Sequence, residues 1–261
     1  MSSESSSRRV VIVTGAAEGI GRGIALRLAK DGYDLGLFDL PSSQEKLNQL
    51  AASLQDEDSV RVVNVLTSVA EEADVKRLVE VVVQELSSLY AMIANAGISI
   101  NSVLHENNLI SVNVKGTFFC YKYAAEQLIK QGKGGRMVGA CSIAGKKGMP
   151  GASVYSATKF AIRGLTQSAA ADYGKYGITV NAYAPGVIET PLMERLDEFH
   201  TSAKGLSKDH GQLGLAALPL LNAMDSQRIM SPSWCHSSSL MMQCSLLVNR
   251  SYTVDGGCVF D

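Results

Sequence analysis

The chain has 261 residues, of which 46% are hydrophobic, enough for one large domain with a substantial core and no second domain. A net charge of -1 with both signs interspersed leaves no basic tract for nucleic acid and no polybasic patch for a membrane surface. No apolar run reaches the ~18 to 20 residues that span a bilayer, so no membrane partner is expected.

The opening M-S-S-E-S-S-S-R-R is polar, contains an acid and lacks the apolar centre of a signal peptide, so residues 1–8 read as a disordered tail on a cytoplasmic protein. Arg9 to Thr14 is a short β-branched run ending at a glycine, the pattern of a strand buried on both faces of a parallel sheet. A helix follows, with Ile20, Ile24 and Leu28 recurring every four residues and Gly32 closing it. Between them lies T-G-A-A-E-G-I-G. Gly15, Gly19 and Gly21 let the backbone turn tightly and approach a pyrophosphate, whose charge is stabilised by amides at the helix N-terminus.

The second strand, Tyr33 to Phe38, runs into Asp39, eighteen residues beyond Gly21. An acid there accepts hydrogen bonds from ribose hydroxyls and repels a 2′-phosphate, which favours NAD(H) without excluding NADP(H). Glu18 adds negative charge inside the glycine loop, no arginine directly follows Asp39, and Arg22 reads as a solvated helix residue. Residues 42 to 56 form a helix carrying Leu47, Leu50 and Leu54; Val60 to Val65 is a third strand. The clearest helical stripe is Val75, Leu78, Val79, Val82 and Leu86, and Ala91 to Ala94 is a fourth strand leading into N95-A96-G97. Strands alternating with helices predict an α/β fold: a Rossmann-type, doubly wound parallel sheet with right-handed crossovers, forming one catalytic domain over 9–261. Ligands of such sheets bind beyond the carboxyl ends of the strands, where Gly15, Asp39, Asn95 and Ser142 would collect.

The chemistry-bearing stretch runs from Ser142 to Lys159. Tyr155 and Lys159 are four apart, so on a helix both side chains leave one face. The ammonium would stabilise a phenolate and equip the tyrosine to carry a proton to or from a substrate oxygen. Ser142, thirteen residues earlier, could reach the same oxygen from a strand end. Taken alone, Y-x-x-x-K also fits an incidental pair on an amphipathic helix, and Asn113 in S-V-N-V-K-G reads equally as a satisfied core amide. The cysteines Cys120, Cys141, Cys235, Cys244 and Cys258 have no C-x-x-C spacing and read as reduced thiols. His105, His200, His210 and His236 make no metal-ligand pattern, so no metal is expected.

Together T14-G-A-A-E-G-I-G21, Asp39, N95-A-G97, Asn113, Ser142, Tyr155, Lys159 and P185-G-V-I-E-T-P191 resemble the short-chain dehydrogenase/reductase family, over residues 9 to about 195. Within it, Y-K-Y-A-A-E-Q-L-I-K-Q-G-K-G-G-R, S-I-A-G-K-K-G and G-I-T-V-N-A-Y-A-P-G are most similar to diacetyl (acetoin) reductases and 2,3-butanediol dehydrogenases. The resemblance implies Tyr155 as general acid in reduction and base in oxidation, with Lys159 supporting it and binding the nicotinamide ribose. It implies Ser142 on the substrate oxygen and Asn113 in a water-linked proton relay. The cofactor contacts would come from Gly15, Glu18, Gly19, Ile20, Gly21 and Asp39; Asn95, Ala96 and Gly97 on the adenosine side; Tyr155 and Lys159; and Pro185, Gly186, Val187 and Thr190 near the carboxamide. It further implies a small carbonyl or alcohol substrate, and a homotetramer or homodimer built on helices around 109 to 131 and 153 to 174. Other substrates of the same fold, such as a sugar alcohol or a 3-oxoacyl thioester, and dinucleotide binding without turnover stay open.

The chain departs from the family pattern in several places. Ser68 stands before Val69 where Asp is usual, which weakens the expected adenine contact, and Cys141 replaces a common serine. Asn95 and Asn113 are only eighteen apart, about six fewer than usual, a loss that would rotate or strip the first helical turns; the link S-V-L-H-E-N-N-L-I either still connects or pulls Asn113 out of register. Residues 215 to 250 lack the usual helix and the I-T-G-Q before the last strand, within an atypical region over 205–250. Codons for Trp234 to Asn249 read two bases later permit V-S-F-F-L-A-D-D-A-M-F-I-T-G-Q, after which S-Y-T-V-D-G-G resumes. We read the segment as out of frame, with a divergent substrate lid as the alternative; transcript codons unable to encode the alternative peptide would overturn the frame reading.

Overall fold

The computed structural model describes residues 8–99, 108–186, 188, 190–192, 194 and 251–254. The tail to residue 7, Val187, the link over 102–107, the four histidines, Cys235, Cys244, Cys258 and the segment 205–250 lie outside the described residues. Arg8, placed in the tail by the sequence reading, donates from its guanidinium to the Ser59 carbonyl.

Seven strands form one parallel sheet: β1 (Val10–Thr14), β2 (Asp34–Asp39), β3 (Val62–Leu66), β4 (Ala91–Ala94), β5 (Gly135–Ala140), β6 (Ile178–Pro185) and β7 (Ser251–Val254). Their order is β3-β2-β1-β4-β5-β6-β7, so the chain winds outward from β1 in one direction and resumes at β4 in the other. That reversal opens a crevice at the carboxyl ends of β1 and β4. The helices are α1 (Gly19–Lys30), α2 (Gln44–Asp58), α3 (Glu72–Leu86), α4 (Gly116–Gln131) and α5 (Ser153–Tyr173).

Period-two alternation divides the core between the two faces of the sheet. Val11, Val13, Leu35 and Leu37 pack against Ile24 and Leu28 of α1 and Leu47, Leu50 and Leu54 of α2. Val10, Ile12, Met92 and Met137 face Val75, Leu78 and Val82 of α3 and Tyr121 and Leu128 of α4. The α3 stripe seats directly on the sheet: a Cβ on Gly36 would lie 2.5 Å from Val82.

At the opposite, amino-terminal edge, the Asp34 carboxylate is 1% exposed and accepts from the Arg61 backbone N–H and Nε, each at 2.8 Å. Removing it takes the acceptor from the Arg61 backbone N–H at the β2–β3 pairing and the ion-pair partner from a half-exposed guanidinium. Asp34→Ala is expected to cost about 2 kcal/mol of unfolding free energy in urea, since hydrogen bonds to charged groups contribute ~1.5–3 kcal/mol. An unchanged midpoint and slope would show that the pair adds nothing.

Candidate active site

The site begins where β1 ends. Thr14 Oγ1 accepts from the backbone N–H groups of Asn95 and Ala96, each at 3.0 Å, which ties the end of β4 to the end of β1. The Asn95 amide then donates to the Thr14 carbonyl at 2.9 Å and the Gly15 carbonyl at 3.1 Å. Gly15 has φ +65°, and a Cβ on it would lie 2.9 Å from Ala96 Cα. At Gly21 the limit is space: a Cβ would lie 2.0 Å from the Gly15 carbonyl oxygen. The N-A-G segment and the glycine turn are therefore one packed unit.

A cleft of about 530 Å³ opens on this unit, lined by Gly15, Glu18, Gly19, Ile20, Gly21, Asp39, Asn95, Ala96, Gly97, Tyr155, Lys159, Pro185 and Thr190. Gly19 and Thr190 face one another across it; a Cβ on Gly19 would meet Thr190 at 3.6 Å. Gly186 is not among its walls, and Val187 is outside the described residues. Asp39 anchors one end: Oδ2 accepts from Ala17 N–H at 2.9 Å and Oδ1 from Leu40 N–H at 2.8 Å. Each oxygen retains a lone pair for a further donor. Ser68 and Val69 line the same end, and Ser68 Oγ accepts from Ala70 N–H at 3.2 Å, a backbone bond that an aspartate there could also accept.

Among the wall residues that sequence reasoning did not assign to the site are Lys46 and Tyr183. Arg22 is exposed, as expected, whereas Lys46 from the first turn of α2 enters the wall and pairs with Glu18 at 2.7 Å. Its signal was only its place seven residues after Asp39. Tyr183 enters from β6, and its signal was the large side chain in N-A-Y-A-P.

At the other end, α5 presents Tyr155 and Lys159 on one face. Lys159 is 4% exposed, its Nζ donates to the Ala140 carbonyl at 2.8 Å and lies 5.5 Å from the centre of the Tyr155 ring. One of three ammonium donors is thus used on backbone. Gly97 packs beside it: a Cβ there would lie 3.2 Å from Asn113 Oδ1 and 3.6 Å from Lys159 Nζ.

Asn113 stands beside the cleft wall, against Gly97. It lies in a π-helical turn, Ile110–Lys115, leading into α4, and is fully buried. Its Oδ1 accepts from Ile98 N–H at 2.9 Å, while Nδ2 donates to the Ile98 carbonyl at 2.9 Å and Thr158 Oγ1 at 3.1 Å. Thr158 Oγ1 in turn donates to the Tyr155 carbonyl at 2.7 Å. The widened turn carries the amide to the tyrosine's helix. Neither Asn113 nor Ser142 lines the cleft itself. Ser142 follows β5 in extended backbone, and its Oγ accepts from Ala144 N–H at 3.1 Å, which leaves its O–H free to donate. The neighbouring Cys141 thiol is buried, which pushes it above its ordinary range; Cys120 is pushed up to about 12 by burial. Both described thiols are free of disulfides and buried.

A turn that presents backbone amides, an acid that accepts hydroxyls and a tyrosine beside a buried ammonium share one crevice. Residues 9–201 match the family model for short chain dehydrogenases. The chain belongs to the short-chain dehydrogenase/reductase family. It is similar to a short-chain dehydrogenase/reductase of Armillaria gallica, 40% identical over 98% of each chain. A diacetyl reductase [(S)-acetoin forming] of Staphylococcus epidermidis is 38% identical over 73% of this chain and 75% of its own. Among solved structures, acetoin dehydrogenase from Salmonella typhimurium is 32% identical over 70% of this chain and 78% of that one, with a TM-score of 0.66. As a short-chain dehydrogenase/reductase the protein is an oxidoreductase of the NAD(P)-binding Rossmann class. The cleft fits such a dinucleotide in two respects: the glycine turn admits no side chain, and Asp39 offers acceptors at the far end.

Proposed function

We propose that the protein is a cytoplasmic, NAD(H)-preferring reductase that converts a small ketone or vicinal diketone, of the diacetyl or acetoin kind, into a secondary alcohol. The observation that carries this is Tyr155 above buried Lys159 in the same cleft as Asp39 and the glycine turn. Similarity to the diacetyl reductase and acetoin dehydrogenase supports the substrate class. When bound, the nicotinamide dinucleotide supplies the hydride in reduction and takes it in oxidation. The residues hold the reacting oxygen and move its proton. Ser142 donates its free O–H to the carbonyl oxygen, Tyr155 delivers a proton from its phenol, and the Lys159 ammonium stabilises the phenolate that remains. Asn113, fixed by both Ile98 backbone groups, supports the proton's return path. Phe118 on α4 and Phe160 on α5, 46% and 44% exposed, support a homotetramer or homodimer formed through these two helices.

The test is NADH consumption by the purified chain with diacetyl, beside NADPH. Turnover favouring NADH is the expected result; a folded chain that turns over neither cofactor overturns the catalytic reading. The cofactor preference has its own check. Asp39 and Glu18 oppose a 2′-phosphate, and Glu18 also neutralises Lys46, the cation closest to hand. Glu18→Gln is expected to narrow the NADH-to-NADPH ratio of kcat/KM about tenfold, an effect of ~1.4 kcal/mol and within reach of one released charge. A ratio unmoved by the substitution would remove Glu18 from the account of specificity.

A further inference from the structure

The glycine turn depends on Asn95, and Asn95 depends on something the mechanism does not use. Tyr183 OH donates to Asn95 Oδ1 at 2.5 Å. The register shows how the tyrosine reaches it: Tyr183 pairs with Ala140 across β5–β6, and Gly139 pairs with Ala94 across β4–β5, so Asn95, Ala140 and Tyr183 form one row. The middle member has only a methyl group, and the phenol passes over it.

We infer that Tyr183 is a positioning residue for dinucleotide binding: its hydroxyl anchors the Oδ1 end of the Asn95 amide, and that amide holds the glycine turn in its binding geometry. The inference rests on the proposal that this cleft binds NADH. An amide has two ends and can rotate by half a turn. In the observed orientation Nδ2 meets the carbonyls of Thr14 and Gly15, and Oδ1 meets a donor. Reversal would set oxygen against the carbonyl oxygens of Thr14 and Gly15, so these two carbonyls choose the orientation, while the phenol could meet either end of the amide. Tyr183 holds the opposite, Oδ1 end, so that the amide is anchored on both sides while Nδ2 closes the turn. The space leaves no slack, since a Cβ on Gly21 would lie 2.5 Å from Asn95 Nδ2. Tyr183 is 4% exposed, and burial, with Tyr155 nearby, holds its phenol far above the ordinary tyrosine range, so it stays a donor at working pH.

The experiment measures NADH affinity by fluorescence titration, thermal midpoint and kcat at saturating NADH for the wild type, Tyr183→Phe, Asn95→Ala and the double variant. Tyr183→Phe keeps the ring and loses one hydroxyl. It is expected to raise the NADH Kd about tenfold with kcat within twofold, because the bonds that hold Lys159 and Asn113 do not pass through Tyr183. Asn95→Ala should raise Kd by at least as much, and adding Tyr183→Phe to it should change Kd less than twofold, as expected when one residue acts through the other. A lowered midpoint with unchanged Kd in Tyr183→Phe makes the bond merely structural and overturns the inference, as do effects that simply multiply. If Tyr183→Phe does not fold, Asn95→Ala decides alone: wild-type Kd overturns the inference. A wild-type chain that binds no NADH overturns the proposed function first.

Discussion

Tyr155→Phe is expected to lower kcat for diacetyl reduction by about 10²–10⁴-fold, the range spanned by positioned general acids, with NADH affinity within about threefold of wild type. The substitution removes one hydroxyl and leaves the ring that Lys159 Nζ faces at 5.5 Å. Lys159 keeps its bond to the Ala140 carbonyl, and Thr158 keeps its bond to the Tyr155 carbonyl, because neither uses the phenol. The cleft is therefore intact and only the proton donor is gone. NADH oxidation followed under saturating cofactor measures the first quantity, and equilibrium titration measures the second. Residual activity above a tenth of wild type would assign proton transfer to another group. A large loss of NADH affinity instead would make the phenol a cofactor ligand rather than an acid.

The contrast between what the chain declares and what only the fold reveals follows the range of each interaction. Asp39 was legible because strand, turn, helix and strand form one continuous unit, and the structure puts its carboxylate on Ala17 N–H at the glycine turn. Tyr155 and Lys159 were legible because four residues on a helix fix a shared face. Lys46 was not, since its approach to Glu18 depends on how α2 lies across the sheet. Tyr183 was hidden for a related reason: period two places it on a face, but its reach to Asn95 requires the alignment of three strands and a small residue at position 140. Asn113 shows the limit of counting. A deficit of about six residues left the register of its amide open, and in the fold a π-helical turn carries it to Ile98 and Thr158. Such a turn leaves no repeat in the sequence from which to read it. The helical run starts at 108–109, near the expected limit, and the π turn over Ile110–Lys115 lies inside it, ahead of α4.

Gly21→Ala is expected to raise the NADH Kd at least ~100-fold and to lower the thermal midpoint, because one methyl group must displace backbone rather than a mobile side chain. An added Cβ would lie 2.0 Å from the Gly15 oxygen, 2.8 Å from its carbonyl carbon and 2.5 Å from Asn95 Nδ2. None of these can retreat alone: Gly15 is fixed at φ +65°, and the Asn95 amide is held at both ends. The turn has to open, and with it go the backbone amides proposed to meet the pyrophosphate. Gly164→Ala is the matched control, since it adds the same methyl within α5 where nothing lies within 4 Å. Alanine there favours the helix by up to ~1 kcal/mol, so its midpoint should hold or rise and its NADH affinity should not change. Equal losses in both variants would point to a chain that tolerates no substitution. Wild-type affinity in Gly21→Ala would mean that the turn can open without consequence, and the pyrophosphate would then have to be sought elsewhere in the cleft.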